Sequence, residues 1–124
     1  MYLRYPPSPP LAALVECLWA SERDALAHAR ERILPSGCDS IVIALHDTPL
    51  LRCADAAGGQ PPHVGWALWQ GAHDAPVFRD TSAPACVVGI TFRAGGAAAF
   101  AGVPMAELAS RTTPLDALWG PDVP

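Results

Sequence analysis

The sequence predicts a mainly-β fold: a small antiparallel barrel over about residues 12–92, with short helices at its carboxyl end. Three observations carry that prediction. Short runs that alternate in polarity, or are wholly apolar, recur along the chain. Glycine and proline, 10 and 14 of 124 residues, punctuate those runs at short intervals. After Phe92 the pattern changes to short alanine-rich segments bounded by glycine and proline. Closely spaced strands with such turns favour a barrel or sandwich over an alternating strand–helix plan, and the expectation here is a barrel. The chain reads as one domain, 1–124, with a proline-rich opening at 1–11, the barrel at 12–92 and short helices at 93–120.

Pro6, Pro7, Pro9 and Pro10 make the opening extended or turning, because each proline restricts its own backbone and the residue before it. Residues 11–14 can form one turn of helix. Val15, Cys17 and Trp19 then alternate, which suits a strand with one buried face. Residues 21–29 are polar and alanine-rich and read as a connection. Arg32, Ile33 and Leu34 lead into the Pro35-Ser36-Gly37 turn.

Residues 40–46 form a clear strand, rich in β-branched side chains. Residues 47–49 turn, 50–53 make a short strand and 54–62 read as a loop. Residues 63–70 are read as a strand interrupted in pattern by Gly65. Residues 71–75 turn, 76–79 form a short strand and 81–84 turn again. Residues 85–92, ACVVGITF, form a second strong strand. Beyond them, Gly102-Val103-Pro104 stops the alanine-rich stretch 96–101. Pro104 starts a turn or two of helix, and Thr113-Pro114 starts a last one through Leu118.

Composition excludes several functions. Apolar residues make up 51% of the chain and charged residues 16%, so a sparsely charged surface surrounds a large core. The net charge is -4, and the eight basic residues are dispersed arginines with no lysine among them. A phosphate-tracking surface needs clustered positive charge, so this chain is not expected to bind DNA by itself. Cys17, Cys38, Cys53 and Cys86 lack paired metal-site spacing and read as reduced thiols. No run approaches the roughly 20 apolar residues of a membrane span, and no signal peptide is recognisable, so a cytoplasmic location is expected.

No arrangement of catalytic residues stands out. The Ser36-to-Ser40 segment offers hydroxyls, a thiol and a carboxylate without a nucleophile-elbow pattern. Gly95-Gly96 matches no phosphate-loop motif. Neither a catalytic residue nor a cofactor is expected. The same holds for a metal, with His46, His63 and His73 as the weak alternative that would need Glu16 or a cysteine to converge with them.

The four tryptophans are the stronger signal. Trp66 and Trp69 are three apart and therefore point to opposite faces of a regular strand. One of the two is expected inside, as core or as the wall of a pocket for a small apolar or aromatic effector. Trp19 joins them as a ligand candidate. Arg93, at the end of an apolar strand, either clamps Glu107, Asp116 or local carbonyls, or binds a ligand carboxylate.

Four stretches carry a family resemblance: PPLAALVECLW (9–19), ILPSGCDSIVIAL (33–45), VGITFRAGGAAAFAGVPMAEL (88–108) and TPLDALWG (113–120). Together they resemble the amino-terminal sensor domain of one branch of the AraC-type transcriptional regulators. The motif positions are Pro35, Gly37, Phe92, Arg93, Gly95, Pro104, Leu115, Trp119 and Gly120. The resemblance implies a cupin-like barrel that receives a small effector and can pair with a second copy. It also implies a separate helix-turn-helix domain, outside this chain, that binds DNA. The family commonly has proline and glycine after the Phe-Arg pair, where this chain has Ala94-Gly95, and an acidic residue where it has Ser36.

The functional expectation is an effector-sensing or dimerisation domain of such a regulator, and the alternative is a stand-alone small-molecule binding protein. A homodimer is expected from the apolar composition. Phe100, Val103, Met105, Leu108, Leu115, Leu118 and Trp119 can instead all be used within one chain, between helices and barrel.

Overall fold

The computed structural model describes residues 1–25, 30–45, 50–53, 63–80 and 84–121. Ten strands and two short helices follow one another: β1 (Tyr2–Tyr5), β2 (Val15–Arg23), β3 (Arg30–Ile33), β4 (Ser40–Ala44), β5 (Leu50–Cys53), β6 (His63–Gly65), β7 (Ala67–Gln70), β8 (Val77–Asp80), β9 (Ala85–Phe92), α1 (Ala98–Ala101), β10 (Thr112–Pro114) and α2 (Leu115–Trp119). Single 3-10 turns at Leu11–Ala13 and Met105–Glu107 complete the set. The helical turn before Val15, strand 50–53 and strand 85–92 lie where the sequence places them, while the last helix begins at Leu115, because Thr112–Pro114 is taken up by β10.

The expected barrel does not form. The strands make two antiparallel sheets, one of six in the order β1-β2-β9-β4-β7-β10 and one of four in the order β3-β8-β5-β6. Neither sheet closes on itself among the described residues. The physical reason lies partly at Gly65-Trp66. The predicted single strand 63–70 bends there, so β6 pairs with β5 in the small sheet and β7 with β4 in the large one. It lies also at the ends of the large sheet. β1 pairs only with β2, and β10 pairs only with β7. Pro114 at the outer end of β10 has no N–H to offer a further strand.

Three further expectations change. Strand β2 runs on to Arg23, where a connection was expected, because β9 pairs with it as far as Arg23↔Ala85. The opening contains a strand, β1, and the carboxyl-terminal segment contributes β10 as well as helices. The turn at 47–49, the loop at 54–62, most of the turn at 81–84 and residues 26–29 lie outside the described residues.

The large sheet separates two cores. Alternation puts Val15, Phe92, Ile90, Ile41, Ile43, Trp69 and Ala67 on one face by register. The carboxyl-terminal segment covers part of that face with Ala97, Ala101, Leu108 and Leu115, joined by Phe100, Val103, Met105 and Leu118. Trp69 and Phe92 are fully buried there. Each contributes about 2–3 kcal/mol of burial free energy. The other face, called inner below, meets the small sheet. Its core is smaller: Val42, Leu68 and Leu50, with Trp19, Ala44 and Val87 beside them.

Candidate functional site

The inner face is not uniform. One row across the large sheet is Trp19, Gly89, Val42, Leu68 and Pro114 by register, and it carries the small core. The next row is Cys17, Thr91, Ser40, Gln70 and Thr112, a ladder of small polar side chains. Where that polar row meets the small sheet the two layers part. A cavity of about 170 Å³ opens between them. A cavity of about 150 Å³ is enough to hold a benzene-sized molecule.

Each wall has a local cause. The large sheet supplies Trp19, Ser40, Val42 and Gln70, and the small sheet supplies Ile33, Val77 and Arg79. The turn at 34–38 forms the rim. Its sharpness comes from Pro35 and from Gly37 at φ +72°. The Cys38 N–H donates to Ser36 Oγ at 3.3 Å. A side-chain acceptor two residues back is a turn device that an acidic residue serves equally well, so Ser36 keeps the shape without the charge.

Trp19 stands against the sheet because Gly89 has no side chain. A Cβ on Gly89 would lie 2.2 Å from the Trp19 ring. The indole N–H donates to Thr91 Oγ1 at 3.2 Å, and Tyr2 packs beside it with ring centroids 6.2 Å apart. Neighbouring on β1, Arg4 is held above the usual arginine range by a hydrogen bond to the Cys17 side chain.

The electrostatics of the cavity are nearly closed. Arg79 donates Nε at 3.1 Å and Nη2 at 2.7 Å to Glu31 Oε2. The pair is cross-strand by register. Both side chains are about a third exposed, so the bridge contributes less than about 1 kcal/mol, but it pairs Arg79, the arginine that lines the cavity among the described residues, with a carboxylate. His73 places Nδ1 2.5 Å from the Gly71 carbonyl. In the neutral ring Nδ1 is the donor there and Nε2 is left as an acceptor. Ser40 and Gln70 have no side-chain hydrogen-bond partner among the described residues.

The floor of the cavity is tied to the carboxyl-terminal segment. Gly71 N–H donates to Arg111 O at 2.9 Å, and Ser110 N–H donates to Ala72 O at 2.9 Å. Ser110 Oγ reaches Asp74 Oδ1 at 3.4 Å. The two segments are so close that a Cβ on Gly71 would lie 1.8 Å from the Leu108 carbonyl oxygen.

The ligand candidates named from sequence separate. Trp19 lines the cavity. Trp69 is inside and Trp66 is 46% exposed, but Trp66 sits at the bend between β6 and β7, so the pair does not share the regular strand on which opposite faces were expected. However, Trp69 lies on the helix-covered face. It stacks on Phe92, meets Trp119 edge-on and donates Nε1 to Asp39 Oδ2 at 2.8 Å. Arg93 is on the surface, where its Nε donates to Ala12 O at 2.8 Å and its backbone N–H to Leu14 O at 2.9 Å. It clamps the carbonyl of Ala12, distant in sequence, in place of the expected Glu107, Asp116 or local carbonyls, and it is not among the residues that line the cavity.

Of the histidines, His73 lines the cavity, His46 lies outside the described residues, and so does the His63 side chain. Among the described residues no group of three His, Cys, Asp or Glu side chains is arranged to hold a metal ion. Cys17, Cys38 and Cys86 are free thiols. No helix among the described residues is long and apolar enough to cross a membrane.

The remaining motif positions hold the scaffold. Gly95 at φ +78° closes the turn in which Gly96 N–H donates to Arg93 O at 2.8 Å. Pro104 precedes the second 3-10 turn, and Leu115 is buried at the start of α2. Trp119 donates Nε1 to Phe100 O at 3.0 Å, and Gly120 ends α2 at φ +96°.

Sequence reasoning missed Gln70 and Arg79, and it weighed Ser40 only as a hydroxyl of the Ser36-to-Ser40 segment and not as a cavity residue. The only signal for them was a polar residue at each end of an apolar run, which usually marks nothing more than a strand end.

A family model described as a domain of unknown function, DUF6597, matches residues 3–114. No curated protein and no solved structure matches the chain.

Proposed function

The chain belongs to the DUF6597 family, which is found at the amino terminus of AraC-type regulators of unknown function, and we propose that it is the effector-sensing domain of such a regulator. The observation that carries this reading is the inter-sheet cavity. It has the volume of a small-molecule site, an aromatic wall at Trp19 and polar groups that the protein leaves unpaired. Its Gly71-to-Asp74 floor is hydrogen-bonded to Ser110 and Arg111, just before α2. A ligand that shifts this floor therefore acts on the segment nearest the carboxyl terminus. DNA is bound by a separate helix-turn-helix domain, and the present domain contributes no phosphate-tracking surface.

The test is ligand-induced stabilisation. A ligand present at a hundredfold its dissociation constant adds about 2.7 kcal/mol, or roughly 10 °C in Tm for a domain of this size. A library of small metabolites is screened against the native chain and against Ser40→Leu, which fills the cavity from a half-buried position. Stabilisation of the native chain alone supports the sensor. Stabilisation that survives in Ser40→Leu, or none from the whole library, counts against it.

A second reading, self-association, rests on a different surface. Beyond the helices, the same sheet face continues through Tyr5, Leu18, Ala20, Ile43, Val88 and Ile90 as an open apolar depression of about 330 Å³. The residues 100–119 that were the other candidates for pairing are largely committed to the intramolecular core. Pairing through the uncovered face makes a two-fold dimer the form in which the sensor works. Sedimentation equilibrium decides it, with a monomer mass at high micromolar concentration as the contrary result.

A further inference from the structure

We infer that the cavity takes a small, uncharged, planar molecule bearing both a hydrogen-bond donor and an acceptor, seated beside Trp19 with its polar edge on Ser40 and Gln70. This inference rests on the sensor reading and adds the chemical class of the effector.

Size comes first. About 170 Å³ accommodates a single ring with one small substituent. The polar requirement comes from the ladder. Ser40 and Gln70 are opposite one another on β4 and β7 and both line the cavity. The hydroxyl offers a donor and two acceptor lone pairs, and the amide offers two donors and a carbonyl. Neither has a protein partner among the described residues. An apolar occupant would strip water from both and return nothing. An amide, lactam or hydroxy-heterocycle edge satisfies both.

Neutrality follows from Arg79. Its Nε and Nη2 both serve Glu31, so the wall presents an ion pair already closed. A charged ligand gives up its own hydration on entering the cavity, and among the described residues it meets there only a guanidinium and a carboxylate that already serve each other. Trp19 accounts for planarity: its ring is fixed by the Gly89 backbone and by the hydrogen bond to Thr91.

The inference is tested with four benzene derivatives of matched size: benzamide, benzoate, benzamidinium and toluene. Binding to the native chain is followed through the Trp19 indole N–H resonance, assigned with Trp19→Phe. Benzamide is expected to bind saturably at about 1 mM, as its size allows. The other three are expected to be at least about tenfold weaker. In Gln70→Leu, which keeps the volume and removes the amide, the order of benzamide and toluene reverses. Benzoate or benzamidinium binding as tightly as benzamide overturns neutrality. Toluene binding as tightly overturns the polar edge. In both cases the cavity is still a site and the sensor reading stands. Silence from all four overturns the proposed class, and the Ser40→Leu screen decides the sensor reading separately.

Discussion

The two faces of the six-stranded sheet are built from the same strands and do opposite things. The helix-covered face packs Trp69, Phe92, Ile41 and Val15 against Ala97, Ala101, Leu108 and Leu115. Three aromatic contacts meet there, and the buried indole N–H has its partner in Asp39. The inner face has only Val42, Leu68 and Leu50 as its buried core, and beside them a polar row and a cavity. One strand serves both: Ile41 faces the dense core, while Ser40 and Val42 face the small sheet. Stability is concentrated on one side, and that allows the other to carry unpaired polar groups and empty volume. A cavity lined by such groups costs stability, and this fold places it where little stability is being made.

The comparison breaks most directly at Trp69. Trp69→Ala removes the centre of the dense face and leaves Asp39 without its donor. The expected loss is about 4 kcal/mol in denaturant unfolding. A loss under about 1 kcal/mol would mean that the two faces do not differ as described.

Next comes the seam between the faces. Gly71→Ala sets a methyl group into the Leu108 carbonyl, so the carboxyl-terminal segment must move off the cavity floor. About 3 kcal/mol is expected, with amide exchange accelerating at Ser110 and Arg111. Unchanged protection at those two amides would show that floor and carboxyl-terminal segment are not mechanically joined.

Gly89→Ala acts on the inner face. The new Cβ meets a side chain, the Trp19 ring, which can turn away where a carbonyl cannot. The expected cost is about 1–2 kcal/mol, accompanied by a change in Trp19 fluorescence. Equal damage from Gly89→Ala and Gly71→Ala would contradict that ordering.

The smallest effects sharpen the contrast. Gln70→Leu and Ser40→Ala alter half-buried side chains with no hydrogen-bond partner among the described residues. Each is expected to change stability by less than about 0.5 kcal/mol. Trp66→Ala, at an exposed bend, belongs in the same range. Urea midpoints compared across these three variants and Trp69→Ala give the ratio between the faces in one series. A midpoint shift for Gln70→Leu comparable to that of Trp69→Ala would remove the distinction between the densely packed face and the face that carries the cavity.

Much of the strand content was legible because its signals are local. Residues 85–92 are apolar and β-branched over a full strand length and are bounded by turn residues, and they form β9 as read. Pro114 ahead of Leu115 marks the start of α2, where a fixed φ and a missing N–H cost nothing. The chain's own residues also indicated its family before any fold was known.

Closure, face and cavity were decided at the tertiary level. Alternation assigns Ser40 and Val42 to one side of a strand, but it does not say whether a helix or a second sheet covers that side. The sequence therefore told neither which of Trp66 and Trp69 is interior nor that Trp69 belongs to the helix-side core. A bend at Gly65-Trp66 sends β6 and β7 into different sheets, and pairings between strands distant in sequence, such as β2 with β9, set the registers. Those registers line up Cys17, Thr91, Ser40, Gln70 and Thr112 from five separate strands. Each of these residues is unremarkable in its own segment. Only long-range pairing makes them one polar row, because register is fixed by side-chain packing and hydrogen bonding between segments and not within any one of them.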